Sequence, residues 1–567
     1  METDHIDCAV HDLQASKHSW ATLDIHEKTL LLRELRARAG VNARRWVEAA
    51  VEAKGLSMDS PLAGEEWIAG PYGFIDAINA LESTLGRIAS GSDVLEGYRV
   101  STRLDGQVIV GVLPASISDK MLFSGSSADV WMDPGVTVDS LSDTIGVFYR
   151  EEDPSGSVCL ILGAGNVASI PPLDVLYKLF NEGEVAILKM NPVNENLGET
   201  LEEIFADFID AGYLRFVYGG GDVGAYLTSH DGVDTIHITG SARTYNAIRY
   251  GVGKEGEANR MADKPISDKP ISAELGGVSP TIVVPGDWSR ADLRFQAENV
   301  VTQKMNNSGF NCVATQILIL PDSWDLTDVF LDEIRSVLLG LRDRDAYYPG
   351  TRDRCEAALA GSGAVEEFGG EAKRYLITGL DAEATQDAAF TTEYFAPVLS
   401  VVMLPSPDIP SFVTAAMSFA NEVLVGTLGA SIIVHPKTEK AYSDTIDRMI
   451  AGLRYGGIGV NTWSASVYLL SRCPWGAFPG NTPPDIGSGV GVVHNALMFG
   501  MPQKAVARGP FAPSHRTLTK GEIHLSPKPV FFVTNKQMHN VGERLVDFAV
   551  TGKTSDMLRI VSSAVRG

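Results

Sequence analysis

Cys312, Glu274, Asn166 and Lys189 are of types that can attack, take a proton, hold an oxyanion or bind a cofactor, and each stands at a junction between expected secondary-structure elements. Cys312 lies in NNSGFNCVATQ, after a helix and a glycine and just before an apolar strand. A loop so placed exposes a side chain. A thiolate there is a strong nucleophile whose pKa neighbouring N–H groups can lower. The competing reading is a packed structural thiol, the commoner fate of a free cysteine. Glu274, in ISAELGGVSP, ends an apolar strand ahead of two glycines. A partly desolvated carboxylate has a raised pKa and can serve as a base, although a strand-end charge can equally reach solvent. Asn166, in LGAGNVASIPP, falls between a strand and the next helix. Its amide can donate to a developing oxyanion or simply shape a turn. Lys189 closes the following strand, at the edge where parallel sheets bind cofactors.

These residues need a scaffold, and from residue 157 the sequence alternates between strand and helix signals. SVCLILG (157–163) and EVAILKM (184–190) read as buried strands, and PPLDVLYKLFNEG (171–183) between them reads as a helix with Pro at its start and Gly at its end. ETLEEIFADFIDAG (199–212) is amphipathic, with Leu201, Ile204, Phe205, Phe208 and Ile209 on one face. TIHITG (235–240) continues the alternation, which predicts βαβ units and a parallel sheet buried on both faces. A second such block contains TIVVP (281–285), a long helix over 288–307 and ATQILILP (314–321). The first 110 or so residues read as helices. The polar segment 253–270 reads as a surface insertion, and FPGNTPPDIGSGVG (478–491) as a loop.

Composition narrows the class. Among 567 residues, 47 Lys and Arg stand against 71 Asp and Glu, a net charge of -24. That disfavours nucleic acid and anionic membrane as partners. Five scattered cysteines without a C-x-x-C pair fit a reducing compartment, so the expected location is cytoplasmic. METDHIDCAVHDLQ has no signal-peptide pattern, and no stretch reaches the roughly 18 apolar residues of a membrane span. His5, Cys8 and His11 have metal-like spacing but lack a fourth ligand and a rigid scaffold, so no metal site is expected.

Taken with their order along the chain, these segments resemble the aldehyde dehydrogenase superfamily over roughly 150 to 480. GNVASIPP is similar to the family's W-N-F-P loop, YKLFNEGEVAILKMNP to its W-K…V-x-K-P stretch and HDGVDTIHITGS to its strand ending in F-T-G-S. AELGGVSP is similar to E-L-G-G-K-S-P, NSGFNC to N-x-G-Q-x-C and TTEYFAPVLSV to E-E-x-F-G-P-V. IAGLRYGGIGVN and PWGAF resemble the A-G-x-V-x-x-N and P-F-G-G segments. The resemblance implies an α/β fold of two parallel-sheet lobes, one binding the cofactor and one catalytic, plus an oligomerisation segment. Its expected divisions are 1–275, 276–465 and 466–567. It implies a non-acylating oxidation of an aldehyde to an acid with NAD or NADP, through a thiohemiacetal and thioester on Cys312. Asn166 would hold the oxyanion and Glu274 would activate water. Lys189 and Glu393 would hold the two riboses, Gly240 and Ser241 would lie by the pyrophosphate, and Phe395 would join the cofactor site. A small-molecule aldehyde and a homo-oligomer, dimer or tetramer, are the implied partners.

Several positions depart from the family pattern. Pro192 stands where many NAD-preferring members carry a ribose-binding Glu, which leaves NADP open. Tyr245 replaces a glycine, Phe310 a glutamine and Val278 a lysine. After PWGAF the family's closing segment is not recognisable and a long tail follows. Two other functions compete: a coenzyme A-acylating dehydrogenase, which usually lacks the base that Glu274 provides, and a non-catalytic protein that kept the fold for binding.

Overall fold

The computed structural model describes residues 3–520 and 522–567. Two sheets organise it. The six-stranded sheet runs in the order Gly489–Val490, Ile271–Leu275, Thr235–Gly240, Val158–Leu162, Val185–Lys189 and Leu214–Val217. Its last five strands are parallel and Gly489–Val490 adds antiparallel. Val158–Leu162 and Val185–Lys189 are almost wholly buried, as near-continuous apolar runs require when helices cover both faces. The helix between them, Ile170–Asn181, opens with two prolines in its first turn, where no helical N–H is lost.

The second sheet has eleven strands, and its centre is the parallel block expected from residue 279 onward. Arg374–Leu380, Val398–Leu404, Thr315–Pro321, Ser279–Val283, Gly429–Ile433, Gly457–Val460 and Pro502–Arg508 lie side by side in parallel. Both faces carry apolar cores.

Four sequence expectations change in detail. The helical N-terminal region stops at Ala89, after Asp4–Ala21, Ile25–Ala53 and Gly73–Ala89. Beyond it Arg99–Thr102, Val108–Leu113 and Ser127–Met132 form antiparallel strands against Pro502–Arg508, because RVST and VIVGVL are β-branched runs. The catalytic sheet is therefore mixed at its edges rather than purely parallel. The amphipathic segment 199–212 is two helices, Gly198–Ile204 and Ala206–Asp210, broken at Phe205. The polar segment 253–270 begins with a helix, Gly253–Met261, on which only Gly256 is buried.

The divergent tail packs on its own chain. Helix Met538–Thr551 crosses the short helix Ala63–Trp67 at close range. A Cβ on Gly64 would stand 2.3 Å from the Met538 backbone, and one on Gly542 would stand 2.6 Å from the Trp67 Cβ. Only glycine permits that approach. Among the described residues no helix is long and apolar enough to cross a membrane.

Candidate active site

Cys312 sits in the loop after helix Arg290–Met305 and before strand Thr315–Pro321, at the edge of an apolar cluster that includes Trp463, Val467, Cys473 and Trp475, with Tyr177 and Tyr468 alongside. Burial raises its thiol pKa well above the ordinary value, and Glu274 and Glu393 push the same way, while its own backbone N–H opposes them. The resting sulfur is thus a protonated thiol that needs a base, not a standing thiolate.

Glu274 is that neighbour. It is the fourth residue of strand Ile271–Leu275 and only 3% exposed. Neither carboxylate oxygen has a hydrogen-bond partner, and the Trp475 indole N–H beside it is also unpaired. Burial first, then the nearby Asp174 carboxylate, raises the Glu274 pKa to about 7, against the smaller pull of Trp475 and Cys312. An unpaired buried carboxyl is costly and in a native protein points to function.

The two glycines after Glu274 explain themselves sterically. A Cβ on Gly276 would lie 2.1 Å from a Glu393 carboxylate oxygen, and one on Gly277 would lie 2.9 Å from the Gly426 Cα. Glu393 rests against bare backbone there. Burial raises its pKa to about 8, Lys304 and Arg354 pull it down, and Glu274 adds to the rise. Lys304, from the last turn of its helix, is buried beside it, and burial lowers that ammonium to about 8.

Asn166 lies in the loop after strand Val158–Leu162. Its Nδ2 donates to the Phe310 carbonyl at 2.9 Å, two residues before Cys312. The sequence reading aimed this amide at substrate, whereas here one of its N–H groups ties the two loops together and the other carries no bond. Phe310 is fully buried, and its ring packs against Tyr347, Tyr348 and Phe395 at 5.2, 5.6 and 5.6 Å. The missing glutamine is thus replaced by an aromatic cluster. Phe395 itself has φ 43 and takes a 3.1 Å bond from Arg354 Nε to its carbonyl; such strain concentrates at functional sites.

At the carboxyl edge of the six-stranded sheet, Lys189 ends its strand and is nearly buried. Burial lowers its pKa, and Glu195 and Asp222 oppose that. Gly240 ends the strand Thr235–Gly240 and is exposed, and a Cβ there would make only ordinary contact, 3.6 Å from the Ile238 side chain. Ser241 caps helix Ala242–Tyr250 by accepting from the Thr244 N–H at 3.2 Å. A capped helix start beside an exposed glycine suits a pyrophosphate. Tyr245, in place of a glycine, is packed with Ile238, Ala273, Leu275 and Ile486, and Val278 is buried in the catalytic core. The chemistry of these residues fits a nicotinamide dinucleotide, for which Lys189, Gly240, Ser241, Glu393 and Phe395 are the candidate contacts.

The structure thus brings Cys312, Glu274 and Glu393 into one electrostatic cluster, joins Asn166 to the Cys312 loop, and sets Lys189, Gly240 and Ser241 along one sheet edge. Sequence reasoning missed Glu195, Asp222, Asp174 and Lys304. Glu195 is six residues past Lys189, beyond Pro192 where a carboxylate was sought. Lys304 reads in sequence as an ordinary cation at a helix C-terminus.

The aldehyde dehydrogenase family model matches residues 135–352. An N-succinylglutamate 5-semialdehyde dehydrogenase of Sphingopyxis alaskensis is 27% identical over 303 residues, 49% of this chain and 57% of that protein. A peroxisomal aminoaldehyde dehydrogenase 1 of Pisum sativum is 27% identical over 356 residues, 58% of this chain and 63% of that protein. The chain thus spans about three-fifths of the length of these curated relatives. Among solved structures, an NAD-dependent aldehyde dehydrogenase from Sinorhizobium meliloti superposes with a TM-score of 0.58 at 16% identity, covering 89% of this chain and 87% of that one. A gamma-glutamyl-gamma-aminobutyraldehyde dehydrogenase from Burkholderia cenocepacia gives 0.58 at 18% identity, with 88% of each chain covered. The chain is thus similar to aldehyde dehydrogenases over residues 135–352 and has the α/β fold of the solved ones.

Proposed function

We propose that the protein oxidises an aldehyde to the carboxylic acid with NAD or NADP, through covalent intermediates on Cys312. One observation carries this reading: the buried, unpaired carboxylate of Glu274 beside the Cys312 thiol. Glu274, with a pKa near neutrality, takes the thiol proton as the sulfur bonds to the aldehyde carbon. The carbonyl oxygen becomes an oxyanion, for which the free N–H of Asn166 Nδ2 and the Cys312 backbone N–H are the donors. Bound at the sheet edge, the nicotinamide dinucleotide supplies the hydride acceptor. Loss of hydride restores the carbonyl as a thioester on Cys312. Glu274 then gives the thiol proton up to solvent and takes one from water as the water oxygen attacks the acyl carbon; the C–S bond breaks to release the acid, and the departing thiolate takes the proton back from Glu274.

The carboxylates of Glu195 and Asp222 facing Lys189 support a preference for NAD, since a 2′-phosphate would meet two negative charges. Trp463, Tyr468 and Trp475 around Cys312 support an aldehyde with an apolar body. Five free cysteines support a reducing, cytoplasmic setting. The outer strands Arg99–Thr102 and Ala364–Phe368, each paired on one side only, support assembly into a homo-oligomer. The test is initial rates on an aldehyde panel with each cofactor. Turnover without coenzyme A is expected, and turnover that strictly requires coenzyme A would replace this reading with an acylating one.

A further inference from the structure

The nucleophile loop is unusually shaped and tied to a distant part of the chain. Asn307 (φ 52, ψ 36), Ser308 (φ 55, ψ 22) and Gly309 (φ 83) are three consecutive residues in the left-handed region. For the two that are not glycine this costs on the order of 1 kcal/mol each, so neighbouring groups must impose it. They come from the N-terminal helices and from residues 344–347. Glu65 Oε2 accepts from the Asn307 backbone N–H at 3.0 Å and is held by Arg344 Nη1 at 2.7 Å.

Lys54, which caps the C-terminus of helix Ile25–Ala53, completes the arrangement. Its ammonium is buried and uses all three protons: on Glu66 Oε1 at 2.7 Å, on the Asn307 side-chain oxygen at 3.0 Å and on the Asn166 carbonyl at 3.2 Å. The Tyr347 hydroxyl lies 3.0 Å from the same two oxygens of Asn166 and Asn307, and Asn307 Nδ2 donates to the Asn166 carbonyl at 2.8 Å. One carbonyl, that of the candidate oxyanion residue, thus faces three donors. Asn307 Nδ2 also reaches the Phe310 carbonyl at 3.1 Å, the oxygen that Asn166 Nδ2 itself binds.

We propose that Lys54 and Tyr347 are positioning residues that set the spacing between the two oxyanion donors, the Asn166 amide and the Cys312 backbone N–H. The inference rests on the catalytic reading above. Both donors adjoin the Asn166–Asn307 junction, and Lys54 and Tyr347 bond that junction and not Cys312 or Glu274. Oxyanion donors act only at defined distances, and a shift of about 1 Å can cost a hundredfold in rate. The pair therefore acts on turnover and not on the adenosine end of the dinucleotide, for which Lys189, Gly240 and Ser241 lie along the edge of the six-stranded sheet.

The experiment uses the full-length chain. Tyr347→Phe removes one hydroxyl from a site that stays filled, and Lys54→Met removes the ammonium. Lys28→Met is the control: Lys28 is also a buried lysine of the same helix, but it lies over Trp20, Phe148 and Tyr149, away from the site. Expected is a fall in kcat of about tenfold for Tyr347→Phe and about a hundredfold for Lys54→Met, with the KM for the dinucleotide unchanged and no such fall for Lys28→Met. Equal kcat in Tyr347→Phe and wild type, or a loss in Lys54→Met no greater than in Lys28→Met at matched thermal stability, overturns the proposal. Hydrogen exchange of the 306–313 segment separates this from the catalytic reading. If the wild type oxidises no aldehyde, that reading fails, and the positioning of the loop is still measured by exchange. Faster exchange there in Tyr347→Phe supports it, and unchanged exchange overturns it.

Discussion

Two pairs of glutamates, three of them buried and Glu393 half-buried, lie on either side of the nucleophile loop and are treated oppositely. Behind the loop, Glu66 is paired with Lys54 at 2.7 Å and Glu65 with Arg344 at 2.7 Å. In front of it, Glu274 has no hydrogen-bond partner on either oxygen, and Glu393 has Lys304 and Arg354 as opposite charges and Glu274 as a like one; their pKa values rise to about 7 and about 8. Paired charges fix geometry, because losing either partner leaves an uncompensated buried ion. Unpaired carboxyls stay close to a change of protonation state at neutral pH, which is the property a proton acceptor needs. The same residue type thus builds the frame on one side of Cys312 and, on the proposed reading, the chemistry on the other.

The largest expected effect is on the chemistry itself. Cys312→Ala should lower aldehyde oxidation by at least about a thousandfold while dinucleotide binding, read by fluorescence titration, persists. Retained turnover would remove the sulfur from the account. Next comes the frame. Glu66→Gln leaves Lys54 unpaired in the interior and should destabilise the fold by about 3 to 5 kcal/mol, read by chemical denaturation. A loss below about 1 kcal/mol would mean that the contact is no more than a surface-type pair.

The front side should show the opposite sign. Glu274 has a folded pKa above its unfolded value, so its contribution to stability is fully present below the unfolded value and is lost as pH rises through about 7. Glu274→Gln cannot ionise. It should therefore gain stability over wild type above pH 7, on the order of 3 kcal/mol at most, and gain little at pH 5. The wild-type rate should rise with pH through about 7, as the base loses its proton, and that limb should vanish in the variant. A variant less stable than wild type at pH 8 would break the comparison. The smallest effect concerns the cofactor. Replacing both Glu195 and Asp222 by their amides should shift the ratio of NAD to NADP efficiency by about tenfold toward NADP, measured as kcat/KM for each.

Much of this was legible in the sequence because local patterns set it. The apolar runs at 157–163 and 184–190, and the prolines and glycine bounding the helix between them, specify a βαβ unit without any distant contact. Cys312 and Glu274 announced themselves through their place before a strand and before two glycines. The sheet edge built by Val108–Leu113, Ser127–Met132 and Pro502–Arg508 was not legible, since it joins strands some 370 residues apart whose individual patterns are short. Lys54 was hidden for a related reason. A lysine followed by glycine after a helix reads as a solvated cap, and only the fold brings Asn166, Asn307 and Tyr347 around it. Glu195 was masked because it opens a short 3-10 turn three residues beyond Pro192, and only the fold brings it back to Lys189.

The most direct test of the central claim is a single-turnover experiment on Glu274→Gln with aldehyde and NAD. The account predicts that reduced cofactor, and acyl mass on the peptide carrying Cys312, form far more slowly than in wild type, because the variant can neither take the thiol proton nor activate water. Acylation as fast as in wild type, or an acyl group on Cys8, Cys159, Cys355 or Cys473 instead, would contradict it.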